Sequence, residues 1–116
     1  SLMSNPLIDQ LGRLWAAGRE RCGLILDNGS VLELTNIHPH PLEAFEFDVE
    51  EFHRYPLAIA TWHTHPRTTG NLSIEDFHLF LQLHRLWHYI VGPDGDIRCY
   101  QVEDGRVLLH DSPDQV

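Results

Sequence analysis

Residues 57–80 read LAIATWHTHPRTTGNLSIEDFHLF, and this stretch decides the fold. Leu57–His63 is a β-rich apolar run that predicts a buried strand. Pro66–Leu72, with its proline, glycine and asparagine, reads as a loop. Ser73 then offers an N-cap to a helix running to about Leu86, with Ile74, Phe77, Phe80, Leu81 and Leu86 as its apolar face. Beyond it, His88–Val91, Ile97–Val102 and Arg106–Leu109 read as short strands, divided by Gly92-Pro93-Asp94-Gly95 and Glu103-Asp104-Gly105 turns; the tail after His110 reads as frayed. On the other side, Asn5-Pro6 opens a helix with Leu7, Ile8, Leu11, Leu14 and Trp15 on one face, and Gly18 stops it. Glu20–Leu26 and Val31–Asn36 read as a hairpin about Asn28-Gly29, a pair that accepts positive φ. Ile37–Asp48 reads as a loop, and Asp48 caps a short helix over Val49–Tyr55 that Pro56 ends. Strands interleaved with three helices predict an α/β protein, a mixed β-sheet flanked by helices.

The chain has 116 residues, one domain's worth, and residues 3–116 are read as a single domain; Ser1 and Leu2 ahead of Met3 read as a cloning remnant. A 42% apolar and 22% charged composition is that of a globular protein with its own core. No apolar run approaches a membrane span and no signal-peptide pattern opens the chain, so no membrane partner is expected. The formal charge of −9 repels phosphate backbones, which argues against nucleic acid as a partner. All eight cations are arginines, which excludes Schiff-base chemistry through a lysine. Cys22 and Cys99, far apart and without CxxC spacing, read as small buried hydrophobes in a reducing, cytoplasmic compartment.

Nine histidines are many, and histidine is the commonest neutral metal ligand. In Thr61-Trp62-His63-Thr64-His65-Pro66 the two histidines, two apart on a strand, share a face, and Trp62 points the opposite way into the core. His-x-His alone is weak, since the chain has a second in His38-Pro39-His40, which reads as loop and can line a cleft. Seven residues separate His65 from Ser73, and two more separate Ser73 from Asp76. That spacing is a capping pattern, with Asp76 set against the helix dipole. It is equally a carboxylate in the first helical turn beside the strand's end. Two histidines and a carboxylate, with one position left open, form the ligand set of a catalytic zinc site. Glu20, flanked by Arg19 and Arg21, reads alone as a strand-start surface residue; beside a metal-activated water it has a task as general base. His78, His84 and His88 read as surface or half-buried residues on or just after the third helix, and Arg67 as a loop residue able to meet a substrate carboxylate.

Glu20-x-Cys22-Gly23, His63-x-His65-Pro66 and Ser73-x-x-Asp76 together resemble the JAMM signature of the JAB/MPN/Mov34 zinc metallopeptidases. The likeness covers most of the chain, and Asn36…Phe45-x-Phe47-Asp48 resembles the small bacterial and phage-tail-like branch. The resemblance implies a cytidine-deaminase-like JAB/MPN fold, one Zn²⁺ held by His63, His65 and Asp76, Glu20 as acid and base, and Ser73 as oxyanion donor. It implies hydrolysis of a peptide or isopeptide bond in a protein or peptide substrate, such as a ubiquitin-like or sulfur-carrier tail or a phage-tail-type peptide. The H-x-E and P-C-x-x-C of a nucleoside deaminase are absent. The insertions that grip ubiquitin in eukaryotic members have no room here. The alternative function is a noncatalytic MPN-type scaffold for protein assembly.

Overall fold

The computed structural model describes residues 6–66 and 72–110. The expectations for Ser1, Leu2, Asn5, Arg67 and the tail after His110 fall outside them. A nine-residue helix α1 (Pro6–Leu14) precedes the hairpin β1 (Cys22–Leu26) and β2 (Val31–Leu34). A loop leads to α2 (Val49–Phe52), then β3 (Ala58–Thr64), α3 (Ile74–Gln82) and β4 (Trp87–Val91). A 3₁₀ turn at Pro93–Gly95 leads to the closing hairpin β5 (Ile97–Glu103) and β6 (Arg106–His110). The six strands form one mixed sheet in the order β2-β1-β3-β4-β5-β6. β3 and β4 run parallel and every other pair is antiparallel. The parallel pair follows from α3, because returning in the same direction requires a crossover.

Side chains alternate between the two faces of the sheet, as strand geometry requires. Leu11 of α1 packs with Ile25, Ala60, Trp62, Tyr89, Val91 and Cys99 on one face. Cys22, Leu24, Leu34 and Phe47 occupy the other, with Phe52, Leu79 and Leu83 against them, and Phe80, Ile90 and Tyr100 continue that layer. Trp62 is fully buried against α1, on the face opposite His63, as the alternation predicts. Both thiols are buried, which pushes them up to about 12. Among the described residues no helix is long and apolar enough to cross a membrane.

Two expectations need correction. α3 ends at Gln82 rather than near Leu86, and Ile74 and Phe77 are 75% and 38% exposed. The inward face is Asp76, Leu79, Phe80 and Leu83, spaced i, i+3, i+4, i+7, so burying a carboxylate turned two apolar residues outward. His88 is fully buried in β4, where its Nδ1 meets Thr61 Oγ1 at 2.7 Å and its Nε2 meets the Leu83 carbonyl at 3.0 Å.

Gly23 shows how tightly β1 is enclosed. A Cβ there would overlap the Leu32 carbonyl and the Trp62 indole, whose Nε1 donates to that same carbonyl at 3.1 Å. Gly23→Ala is expected to lower unfolding free energy by at least about 2–3 kcal/mol, since neither backbone nor a buried indole can yield cheaply. Chemical denaturation with an unchanged m-value checks this.

Candidate metal centre

The site forms where three strand ends meet. β1 and β3 pair with Cys22 opposite His63, and the same register carried outward sets Glu20 opposite His65. Thr64 N–H donates to the Arg21 carbonyl and Arg21 N–H to Thr64 Oγ1, each at 2.9 Å, so the two chains stay in step to that point. The His65 main chain is fixed on both sides: its N–H donates to the Val91 carbonyl at 2.9 Å, and its carbonyl accepts from Trp15 Nε1 at 3.1 Å. Asp76 arrives from α3, whose first turn is closed by a capping box. Ser73 Oγ accepts from Asp76 N–H at 3.2 Å, and Asp76 Oδ2 accepts from Ser73 N–H at 3.0 Å.

These elements bring His63, His65 and Asp76 together. His63 Nε2 lies 3.1 Å from His65 Nε2 and 3.0 Å from Asp76 Oδ1, while His65 Nε2 lies 3.0 Å from Asp76 Oδ2. Ligands held at about 2.0–2.1 Å in a tetrahedron sit about 3.3 Å from one another, so these donors occupy nearly one face of such a polyhedron. Two imidazole nitrogens and a carboxylate converge on one point, where a cation satisfies all three sets of lone pairs at once. The donor set fits a divalent metal. Glu20, His63 and His65 form a potential metal-binding triad, with ligand atoms all within 4.8 Å of one another. The Glu20 carboxylate thus stands beside the tighter His63-His65-Asp76 triangle, near enough to serve it.

The chain's fold is known. It is similar to the solution structure of protein DSY2949 from Desulfitobacterium hafniense, with a TM-score of 0.66 and 20% identity over 91% of this chain and 84% of that one. No family model and no curated protein matches the sequence. At that identity the likeness shows a shared α+β fold.

Burial sets the electrostatics of the site. His63 is fully buried, and desolvation lowers its pKa against the pull of Asp76, favouring the neutral, metal-competent imidazole. Burial works to raise the Asp76 pKa, but His63, His65 and the Ser73 N–H outweigh it and hold the carboxyl far below its ordinary value. Desolvation raises Glu20 to about 7, with His65 opposing and Asp76 and Glu75 assisting. A carboxylate near neutrality suits proton transfer in both directions. His63 Nδ1 is buried with no hydrogen-bond partner among the described residues. Its ring plane is held by packing instead, with Phe45 stacked at 4.4 Å and Phe80 at 6.2 Å.

Glu20, His65, Ser73 and Asp76 line a groove of about 980 Å³ together with residues of the 37–48 loop, α2 and α3. Its walls are apolar (Leu42, Phe45, Phe47, Phe52, Leu79 and Leu83), with Glu43, Glu46 and Glu75 also lining it. His38 lines it too, so the second His-x-His contributes to the cleft, whereas His78 and His84 are exposed on α3 and the turn after it.

His88, which the sequence placed nearer the surface, braces this arrangement. It ties Thr61 on β3 to the end of α3 and stacks on Phe80 at 4.2 Å. Desolvation lowers its pKa to about 4, while the unfolded chain takes up that proton near 6.5. The native state therefore loses up to about 3 kcal/mol as pH falls from 6.5 to 4, through this group alone. Urea melts at pH 7 and 4.5 are expected to show a larger loss for wild type than for His88→Gln; equal losses would remove His88 from the account.

Proposed function

We propose that this chain is a zinc-dependent peptidase or isopeptidase of the JAB/MPN/Mov34 type, with His63, His65 and Asp76 as ligands, Glu20 as acid and base, and Ser73 as oxyanion donor. One observation carries the reading: three neutral-or-anionic donors lie 3.0–3.1 Å apart, with a carboxylate raised to about 7 beside them, in the lining of an open groove. When bound, zinc would polarise a scissile carbonyl and acidify a water molecule. Glu20, in its deprotonated form, takes the proton from the attacking water and passes it to the leaving amine. Ser73 Oγ accepts from Asp76 N–H through a lone pair, which leaves its own O–H to donate to a developing oxyanion. The apolar walls favour an extended tail with bulky apolar side chains laid along the groove beside the metal ligands.

The test joins elemental analysis to a peptide-library digest. About one zinc per chain, with chelator-sensitive cleavage, supports the proposal. Zinc without cleavage of any peptide or ubiquitin-like tail points to the scaffold alternative, and a zinc-free protein from zinc-replete cells overturns the metal assignment. Isolated ubiquitin chains should be poor substrates.

A further inference from the structure

Glu20 stands two residues ahead of β1, where ladder pairing has stopped, so something other than the sheet must hold its backbone. The β1–β2 register, Cys22 opposite Leu34, carried outward sets position 20 opposite Asn36. There the main chain of residue 36 has turned away to bridge Phe47. The side chain takes over: Asn36 Nδ2 donates to the Glu20 carbonyl at 2.9 Å and to the Ala44 carbonyl at 3.1 Å. Asn36 Oδ1 accepts from His38 N–H at 3.0 Å and from Glu46 N–H at 3.1 Å. Glu20 N–H completes the clamp by donating to the Pro41 carbonyl at 2.7 Å.

Every hydrogen-bonding position of a primary amide is therefore used, two donors and two acceptors in one plane. One side chain fastens Glu20 to both limbs of the 37–47 loop, whose Phe45 stacks on His63. Aspartate would keep both acceptor bonds but turn lone pairs toward two carbonyl oxygens. Glutamine would overshoot by a carbon, and alanine would lose all four bonds.

We propose that Asn36 is a positioning residue that sets the Glu20 carboxylate against the metal ligands by fixing the Glu20 backbone. This rests on the hydrolase reading for its catalytic consequence and on the hydrogen bonds alone for its structural one. The two are separated by measuring amide hydrogen exchange in the metal-free chain and steady-state kinetics in the zinc-loaded one, on the best peptide from the library digest. In Asn36→Asp, the loss of one bond to Glu20 is expected to speed exchange at the Glu20 amide by roughly tenfold, while His38 and Glu46 stay protected. Zinc stoichiometry should not change, because no ligand is touched. A displaced general base should cost about 10–100-fold in kcat with KM within about twofold.

Unchanged protection at Glu20, or a loss that falls on KM with kcat intact, overturns the proposal. If the wild type cleaves nothing, the hydrolase reading fails and exchange at Glu20 alone decides the positioning. Should Asn36→Asp not fold, Asn36→Ala, which introduces no lone-pair repulsion, takes its place. It should expose Glu20, His38 and Glu46 amides together and keep the same kcat-against-KM split.

Discussion

Wild-type protein purified from zinc-replete cells is expected to hold about one zinc ion, and His63→Ala/His65→Ala none. Groups that merely orient a metal ligand are worth about 10–100-fold in affinity, so removing two of three direct ligands should abolish binding at micromolar zinc. Asp76→Ala should lose the metal as well and should carry a separate stability cost. Its carboxylate caps α3 through Ser73 N–H and lies 3.0 Å from the buried His63 Nε2, and a cap alone is worth about 1 kcal/mol. Metal removal should lower the melting temperature without unfolding the chain, because the apolar layers on both faces of the sheet are built from residues other than the three ligands. For a ligand present at 100 times its Kd, the linked stabilisation is about 2.7 kcal/mol. Full zinc occupancy in the double variant would refute the ligand assignment, and complete unfolding by a chelator would make the metal structural rather than catalytic. Two nitrogens and an oxygen, under the Irving–Williams order, favour zinc over magnesium or manganese.

The strand and helix order was legible in the sequence because each element carries its own local signal. Asn28-Gly29 marks the first hairpin, and Asp48 and Ser73 are caps whose side-chain bonds are present. His63 and His65 were legible as a pair because period two is a local property of a strand. Glu20 was not, since its place beside His65 depends on which strands pair and in what register, and position alone encodes neither. Only the likeness to a known signature singled it out. The inward face of α3 was misread for a related reason. Apolar count favours Ile74 and Phe77, but Asp76 must face the histidines, and that requirement rotates the helix. The organising roles of His88 and Asn36 are not legible because a polar residue that works through its hydrogen bonds has no sequence signature until its partners are known.

Glu20→Gln should separate the ligands from the acid and base. The amide is nearly isosteric and does not belong to the tight His63-His65-Asp76 triangle, so zinc content should remain about one per chain. It should not destabilise the fold, because burial already disfavours the charged form of Glu20, whose pKa is raised to about 7, and a neutral amide removes that penalty. Catalysis is another matter. Glutamine cannot take a proton from the attacking water or hand one to the leaving amine, and the loss of such a group typically costs about 10²–10⁴-fold. Ser73→Ala supplies the contrast. Its hydroxyl caps α3, so about 1 kcal/mol of stability should go with it. If the same hydroxyl also meets the oxyanion, turnover should fall by about 10²–10³-fold with the proton-transfer step intact. Zinc content, melting temperature and cleavage rate, measured for both variants on one peptide, distinguish these roles: a metal-replete, fully folded Glu20→Gln that cleaves at the wild-type rate would leave Glu20 without a catalytic part.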